Sequence, residues 1–178
     1  MNLRAYHITW GTYGTRLHGD PRGTVDRKHN AYDTPVLGFD QHRWEREKSN
    51  LKFPPVTFTR PQMVLVESLL PTICARGGWT HRTGAAGPDH VHEILTSPHD
   101  PETIRRLFKR WLGQELSRVL TREPGCPQPG TGATWWAECG SIRWIFEEDG
   151  PYYDNAIAYV TRQRATIDAA EPRRSSPR

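Results

Sequence analysis

The chain lacks the usual features of membrane-spanning and disulfide-linked proteins. No apolar run among its 178 residues approaches the roughly 20 residues that span a bilayer, and the start, MNLRAYHITW, has no apolar core preceding a small-residue cleavage site. The three cysteines, Cys74, Cys126 and Cys139, are far apart in sequence and form no C-x-x-C pair, so neither a disulfide framework nor a zinc ribbon is predicted. We therefore expect a folded cytoplasmic protein with reduced, structural thiols.

Positive charge is only slightly in excess of negative charge. The 24 Lys and Arg residues against 20 Asp and Glu residues give a net charge of +4, carried mostly by Arg. The planar guanidinium of Arg pairs with phosphate through two hydrogen bonds, which favours a polyanionic partner. The same charge is also ordinary for solubility. The composition therefore permits a nucleic-acid partner and does not by itself establish one.

β-branched and aromatic segments bounded by turn-forming residues predict four strands. These strands are residues 3–10, Trp79–Thr83, Asp89–Ser97 and Ser141–Phe146. The run Gly84–Pro88 separates the second strand from the third and predicts a hairpin turn.

Apolar residues at the helical period predict three long helices. The first begins after Thr59, and Pro71 is expected to kink or split it. The second begins at Asp100 and Pro101, and the third covers about Tyr152–Ala169. A shorter helical candidate, near residues 41–50, interrupts an otherwise irregular stretch rich in Gly, Pro and charge.

The predicted order is strand, helix, strand, strand, helix, strand, helix. This order is typical of an α+β fold, the ferredoxin-like split βαβ arrangement, with an antiparallel sheet, helices on one face and an extra C-terminal helix. We expect a single domain over residues 1–170, with an irregular insertion at about 11–58, followed by a disordered basic tail at 171–178.

Two histidines on the third predicted strand suggest a metal site. Side chains at i and i+2 of a strand point to the same face with Cα atoms roughly 6.6 Å apart, so His90 and His92 can converge on one ion while Val91 faces the core. A pair of surface or hydrogen-bonded histidines would give the same pattern. The interpretation therefore needs a further element.

The last predicted helix supplies such an element. Tyr159 and Gln163 are spaced i, i+4, so both side chains lie on one face of the helix. If the apolar side of that helix packs on the sheet, a phenol and a carboxamide lie beside the histidine pair. A lone Tyr on a packed helix is more often a half-buried packing residue.

In these stretches the chain resembles the HUH single-tyrosine transposases, in particular the REP-associated tyrosine transposases and their insertion-sequence relatives. The matching segments are AYHITWGTYGTRLHGDPRGTVDR, DHVHEIL, GSIRWIF and AIAYVTRQ. The resemblance implies that His90, His92 and Gln163 bind Mg²⁺ or Mn²⁺ and that Tyr159 attacks single-stranded DNA, forming a 5′-phosphotyrosine. It also implies hairpin DNA as the ligand, a nucleoid-associated location and either a monomer or a homodimer.

The chain departs from the family pattern at two positions of the histidine strand. The family usually has Asn where this chain has Asp89, and Glu93 interrupts the following hydrophobic run. An acidic neighbour either orients a ligand or marks a degenerate copy. Tyr152 lies seven residues before Tyr159, nearly on the same helical face, and is the alternative nucleophile.

Cationic side chains in two regions are candidates for contact with DNA phosphates. A basic face on the second long helix can track a phosphate backbone, although a solvated helix side gives the same pattern. The N-terminal loop combines cations with aromatic residues, which suits unstacked bases. The candidates are Arg16, Arg22, Arg27, Arg105, Arg106, Lys109 and Arg110.

Two other functions fit parts of the sequence. A histidine-triad hydrolase would need a third histidine at position 94, where this chain has Ile94, so that class is disfavoured. A non-catalytic module that binds single-stranded nucleic acid, derived from such a transposase, remains the alternative.

Overall fold

The computed structural model describes residues 2–23, 37–120 and 132–165. In this part of the chain four strands and four α-helices follow one another, with a short 3-10 turn at Glu147–Asp149. In order they are β1 (Leu3–Gly11), α1 (Gln41–Ser49), α2 (Arg60–Gly77), β2 (Thr80–Ala86), β3 (His90–Thr96), α3 (Pro101–Leu120), β4 (Ser141–Phe146) and α4 (Gly150–Arg162). None of these helices is long and apolar enough to cross a membrane.

The four strands form one sheet in the order β2-β3-β1-β4, and each neighbouring pair is antiparallel. This order and the intervening helices confirm the predicted α+β class with a ferredoxin-like split βαβ sheet. Helices α2 and α3 pack on one face of the sheet, and α4 packs on the other.

The larger core lies between the sheet and the helices α2 and α3. Alternate residues of β1 point into it, because successive side chains of a strand face opposite sides. Helix α3 contributes a stripe at every fourth residue whose members are at most 2% exposed: Ile104, Phe108, Leu112, Leu116 and Leu120. Aromatic rings complete the core, with Trp10 5.4 Å from Phe108 and Trp79 5.5 Å from the same ring, measured between centroids.

The smaller core lies on the opposite face, under α4. Ala156 and Val160 of α4 pack on small and branched residues of the strands, namely Ala5, Ala85, Ile94 and Ile145. His92 precedes Ile94 by two residues in β3, so both point to this face. The fold therefore places α4 over the side of the sheet that carries the histidine pair.

Two details of the hairpin and of α2 differ from the sequence predictions. Strand β2 continues to Ala86, so the predicted turn at Gly84–Pro88 is wrong in its first three residues. Gly84 is needed within the strand because a Cβ atom there would lie 2.4 Å from Oε2 of Glu93. Pro71 does not split α2, which continues as one helix from Arg60 to Gly77. Pro71 is exposed, and the nearby Leu70 and Ile73 are buried in the core.

Several predictions fall on residues outside the described ranges. These are Arg27, Cys126, most of the loop predicted between α3 and β4, the end of the last helix beyond Ala165, and the tail 171–178.

Candidate active site

The two histidines of β3 lie side by side at the end of the strand nearest Gly11. His90 pairs with Gly11 and His92 with Thr9 across the antiparallel register. Their ring centroids are 4.8 Å apart, with the planes nearly perpendicular. The strand periodicity thus brings the two imidazoles together as predicted.

The ring of His92 is fixed by two residues of β1. Its Nδ1 atom lies 2.8 Å from the Thr9 hydroxyl and 3.1 Å from Nε2 of His7. Burial, together with the neighbouring His90 and His7, lowers the pKa of His92 to about 3. The ring is therefore neutral at physiological pH, and with Nδ1 engaged its Nε2 is the atom left to bind a ligand.

The ring of His90 is fixed by the preceding residue. Its Nδ1 donates to Oδ1 of Asp89 at 2.6 Å, and the other carboxylate oxygen accepts from Arg16 Nε at 2.9 Å and Arg22 Nη1 at 2.8 Å. Burial alone would raise the pKa of Asp89, but the hydrogen bonds from His90 and Arg16 lower it to about 2. Because this carboxylate is ionised, the proton of His90 resides on Nδ1, and Nε2 is free to accept a metal ion.

Tyr159 of α4 completes the cluster. Its ring centroid is 5.8 Å from that of His92, with the planes at 81°. The side chain is 45% exposed, although the adjacent Val160 and the preceding Ala156 are buried against the sheet. The phenol is thus held beside the histidines by helix packing while remaining accessible to a substrate.

Gln163 lies at the C-terminal end of the same helix. Its backbone N–H donates to the carbonyls of Tyr159 at 3.3 Å and Val160 at 3.1 Å, and its side chain is exposed. Within the described ranges, no hydrogen bond joins its carboxamide to another residue. The structure therefore brings together His90, His92 and Tyr159, and leaves Gln163 one turn farther along with its side chain in solvent.

Tyr152, the alternative nucleophile, has a different environment. The guanidinium carbon of Arg143 lies 3.7 Å from the centroid of its ring. The side chain is half-buried against the small core under α4. This cation–π contact is a packing role, whereas Tyr159 is the tyrosine whose ring contacts a histidine of the predicted pair.

Four of the cations predicted to bind DNA make contacts within the chain. Arg16 and Arg22 both bind Asp89. Arg105 donates to the Gly140 carbonyl at 2.7 Å, and Lys109 donates to the Glu138 carbonyl at 2.8 Å. These four side chains therefore hold the His90 support and the segment before β4 in place.

Arg106 and Arg110 have a different position on α3. Both are exposed and line a groove of about 1080 Å³ between α3 and residues 133–138. Helix α3 packs on the face of the sheet opposite the histidine pair. A DNA strand bound by these two cations would therefore have to pass around the end of the sheet to reach Tyr159.

Sequence reasoning missed two residues of this cluster, His7 and Thr9. Both lie in the matching segment AYHITW and alternate along β1 with the buried Tyr6 and Ile8. That alternation places them on the α4 face, but only the register between β1 and β3 shows that they meet His92.

A second group of possible ligands, also missed, lies on the other face of the sheet. Cys74, His81 and Glu93 each offer one ligand atom, and these atoms all lie within 4.8 Å of one another. Glu93 follows His92 in β3, so its side chain points away from the histidine pair. The described part of the chain thus contains two separate groups of candidate ligands, one on each face.

Comparison with known proteins gives likenesses among solved structures alone. No family model matches the chain, and no curated protein matches it. Among solved structures it is similar to a "putative transposase" from Deinococcus radiodurans R1, at 16% sequence identity over 92% of this chain and 93% of that one, with a TM-score of 0.45.

Proposed function

We propose that this chain is a metal-dependent, transposase-like nuclease that attacks single-stranded DNA with the hydroxyl of Tyr159. The observation that carries the proposal is the half-exposed phenol packed 5.8 Å from His92, between centroids, on the face where two imidazoles converge. The likeness of DHVHEIL and AIAYVTRQ to the HUH single-tyrosine transposases points to the same chemistry. Hairpin DNA is the substrate that this likeness suggests.

The proposed reaction exchanges one phosphodiester for another. The phenol oxygen of Tyr159 forms a bond to phosphorus, the bond to the 3′ oxygen breaks, the phenol loses its proton and the 3′ oxygen gains one. The products are a 5′-phosphotyrosine and a free 3′-hydroxyl. Because the phosphodiester is exchanged and not hydrolysed, the reverse attack of a 3′-hydroxyl can rejoin the DNA strand without a nucleotide cofactor.

The donor atoms fit Mg²⁺ or Mn²⁺. His90 and His92 each have Nδ1 engaged and Nε2 free, and Gln163 offers an amide oxygen in solvent at the end of α4. This ligand set is harder than one of thiolates, and its amide oxygen, together with open positions for phosphate oxygens and water, is the kind of donor that Mg²⁺ and Mn²⁺ prefer. When bound, the ion would supply Lewis acidity at the scissile phosphate.

The residues around the pair hold the donors still. Asp89 fixes the orientation and tautomer of His90, as carboxylates commonly do for ligating histidines, and Thr9 and His7 do the same for His92. We therefore interpret Asp89 as a positioning residue rather than as a mark of a degenerate copy. Glu93 packs on the other face of the sheet and does not reach this site.

The test is a search for the covalent intermediate. Purified protein is incubated with single-stranded hairpin oligonucleotides and Mn²⁺, and the products are separated on a denaturing gel. We expect an adduct that disappears in Tyr159→Phe and on chelation, and mass spectrometry of the digested adduct should place the nucleotide on Tyr159.

Tyr152→Phe is the matched control, because it removes the hydroxyl of the alternative nucleophile on α4 and leaves the aromatic ring over which Arg143 stacks. An adduct that survives Tyr159→Phe and is lost in Tyr152→Phe would transfer the role to Tyr152. Tight binding of the oligonucleotide with no adduct under any metal would instead support the non-catalytic binding module.

A further inference from the structure

Three side chains from three different elements meet between the sheet and α2, on the face away from Tyr159. Cys74 lies near the end of α2, His81 in β2 and Glu93 in β3. Oε1 of Glu93 is 2.7 Å from Nδ1 of His81 and 3.3 Å from Sγ of Cys74. Glu93 is fully buried, Cys74 is 1% exposed, and only His81 reaches solvent, with a side chain that is 26% exposed.

The backbone around these residues is shaped to admit the carboxylate. The β2–β3 register shifts between His81 and Thr83, and this bulge puts His81 and Gly84 on the same face although they are three residues apart. Gly84 lies opposite Glu93 and has no side chain, and a Cβ atom there would lie 2.4 Å from Oε2 of Glu93. That oxygen is buried and has no hydrogen-bond partner in the part of the chain that the structure describes.

We propose that Cys74, His81 and Glu93 bind a zinc ion that joins α2 to the sheet. Zinc bonds of about 2.0–2.3 Å at tetrahedral angles put neighbouring ligand atoms roughly 3.3–3.5 Å apart. The three ligand atoms already lie within 4.8 Å of one another, so small rotations of the side chains bring them to these separations. A water molecule entering past His81 takes the fourth position.

Ligand chemistry and charge both favour zinc over the harder ions suited to the histidine pair. A thiolate is a soft ligand that selects zinc and disfavours Mg²⁺. Binding releases the Cys74 thiol proton to solvent, and the His81 proton moves to Nε2 so that Nδ1 can ligate. The thiolate and the Glu93 carboxylate then balance the two positive charges of the ion, which a buried site requires.

The zinc site would fix the strand that carries the candidate active site. Glu93 is the residue after His92, and the two side chains emerge on opposite faces of β3. Holding Glu93 to α2 and β2 therefore also holds the backbone of β3. The inference does not rest on the function proposed for Tyr159, since the two groups share no ligand.

Cobalt substitution tests the proposal with a readout specific to sulfur. Full-length protein is stripped with a chelator, titrated with Co²⁺ and followed by absorption, since a cobalt–thiolate bond gives a charge-transfer band that a site of histidine and amide ligands lacks. Metal analysis of the protein as purified measures zinc directly. We expect close to one zinc per chain, the sulfur band on cobalt addition, and a rise in the thermal midpoint when zinc is restored.

Variants that each replace one cysteine or one histidine show which residue gives rise to the sulfur band. Cys74→Ser should weaken Co²⁺ binding by more than about 100-fold and abolish the band. The matched control Cys139→Ser, at an exposed cysteine, should keep it, and so should His92→Ala. The proposal is overturned if the wild-type chain gives no sulfur band, or if the band survives Cys74→Ser. DNA cleavage is measured separately, so failure here leaves the Tyr159 experiment unaffected.

Discussion

Replacing Asp89 with alanine should weaken Mn²⁺ binding at the histidine pair by about 10- to 100-fold, which corresponds to roughly 1.4–2.8 kcal/mol. The reason is the 2.6 Å hydrogen bond between Oδ1 of Asp89 and Nδ1 of His90. Without it the imidazole can rotate and place its proton on Nε2, the atom needed for the metal. Asp89→Asn still accepts this hydrogen bond but carries no charge, so its affinity should fall between those of the wild type and the alanine variant.

The effect of this change on stability should be much smaller. Arg16 and Arg22, which also bind Asp89, have side chains that are 43% and 50% exposed. Water can solvate both guanidinium groups once the carboxylate is gone, and exposed ion pairs contribute at most about 1 kcal/mol each. For a chain of this length, each kcal/mol lost lowers the thermal midpoint by about 2–4 °C, so Asp89→Ala should remain folded at 25 °C.

Isothermal titration calorimetry measures the Mn²⁺ affinity of chelator-treated protein. Circular dichroism checks that each variant is folded. Asp20→Asn is the matched control, since Asp20 also binds Arg22 but does not touch His90. It should leave Mn²⁺ affinity unchanged. A well-folded Asp89→Ala variant with wild-type affinity would refute the positioning role of the carboxylate.

Three further outcomes are expected. Gly84→Ala should lower the free energy of unfolding by about 1–3 kcal/mol in urea titrations, because the added methyl group would lie 2.4 Å from an oxygen of Glu93; an unchanged midpoint would contradict this. Arg106→Ala should weaken binding of single-stranded DNA and reduce the slope of log affinity against log salt concentration by roughly 0.7. Lys109→Ala should chiefly lower stability, because Lys109 donates hydrogen bonds to the carbonyls of residues 137–139. Fluorescence anisotropy at several salt concentrations distinguishes the two variants. In the metal-free folded protein the pKa of His92 is lowered from 6.5 to about 3. Between these two pH values the unfolded state binds a proton that the folded state does not. The free energy of unfolding should therefore fall as pH decreases from 6.5 towards 3. His92→Gln should lose about 1.4 kcal/mol per pH unit of that slope, and an identical slope in the variant would contradict the assignment.

Much of the fold follows from sequence pattern because its elements have clear periodicity. Helix α3 has an apolar residue at every fourth position, and the predicted strand Ser141–Phe146 agrees with β4. The end of β2 was mispredicted for a physical reason. Gly84 followed by two alanines is typical of a turn, yet here the missing side chain makes room for a carboxylate from the neighbouring strand.

The candidate site could be predicted only where a short-range period brings its residues together. His90 and His92 are two apart on a strand, and this local spacing was enough to pair them. The contacts of His92 with His7 and Thr9 depend on strand register, over more than 80 positions of sequence. The grouping of His81 with Glu93 depends on a bulge that reverses the expected alternation of β2, which no period of two could reveal.

One buried carboxylate links the two helical layers of the molecule. Oε1 of Glu67, on α2, accepts from the backbone N–H of Ala86 at 3.1 Å and from that of Ala165, just beyond α4, at 2.7 Å. Moving the segment around Ala165 off the sheet would remove one of the two backbone donors to this buried carboxylate, at a cost of about 1–3 kcal/mol. The two layers should consequently open together in hydrogen exchange, and the helix that presents Tyr159 should be protected for as long as α2 itself remains in place.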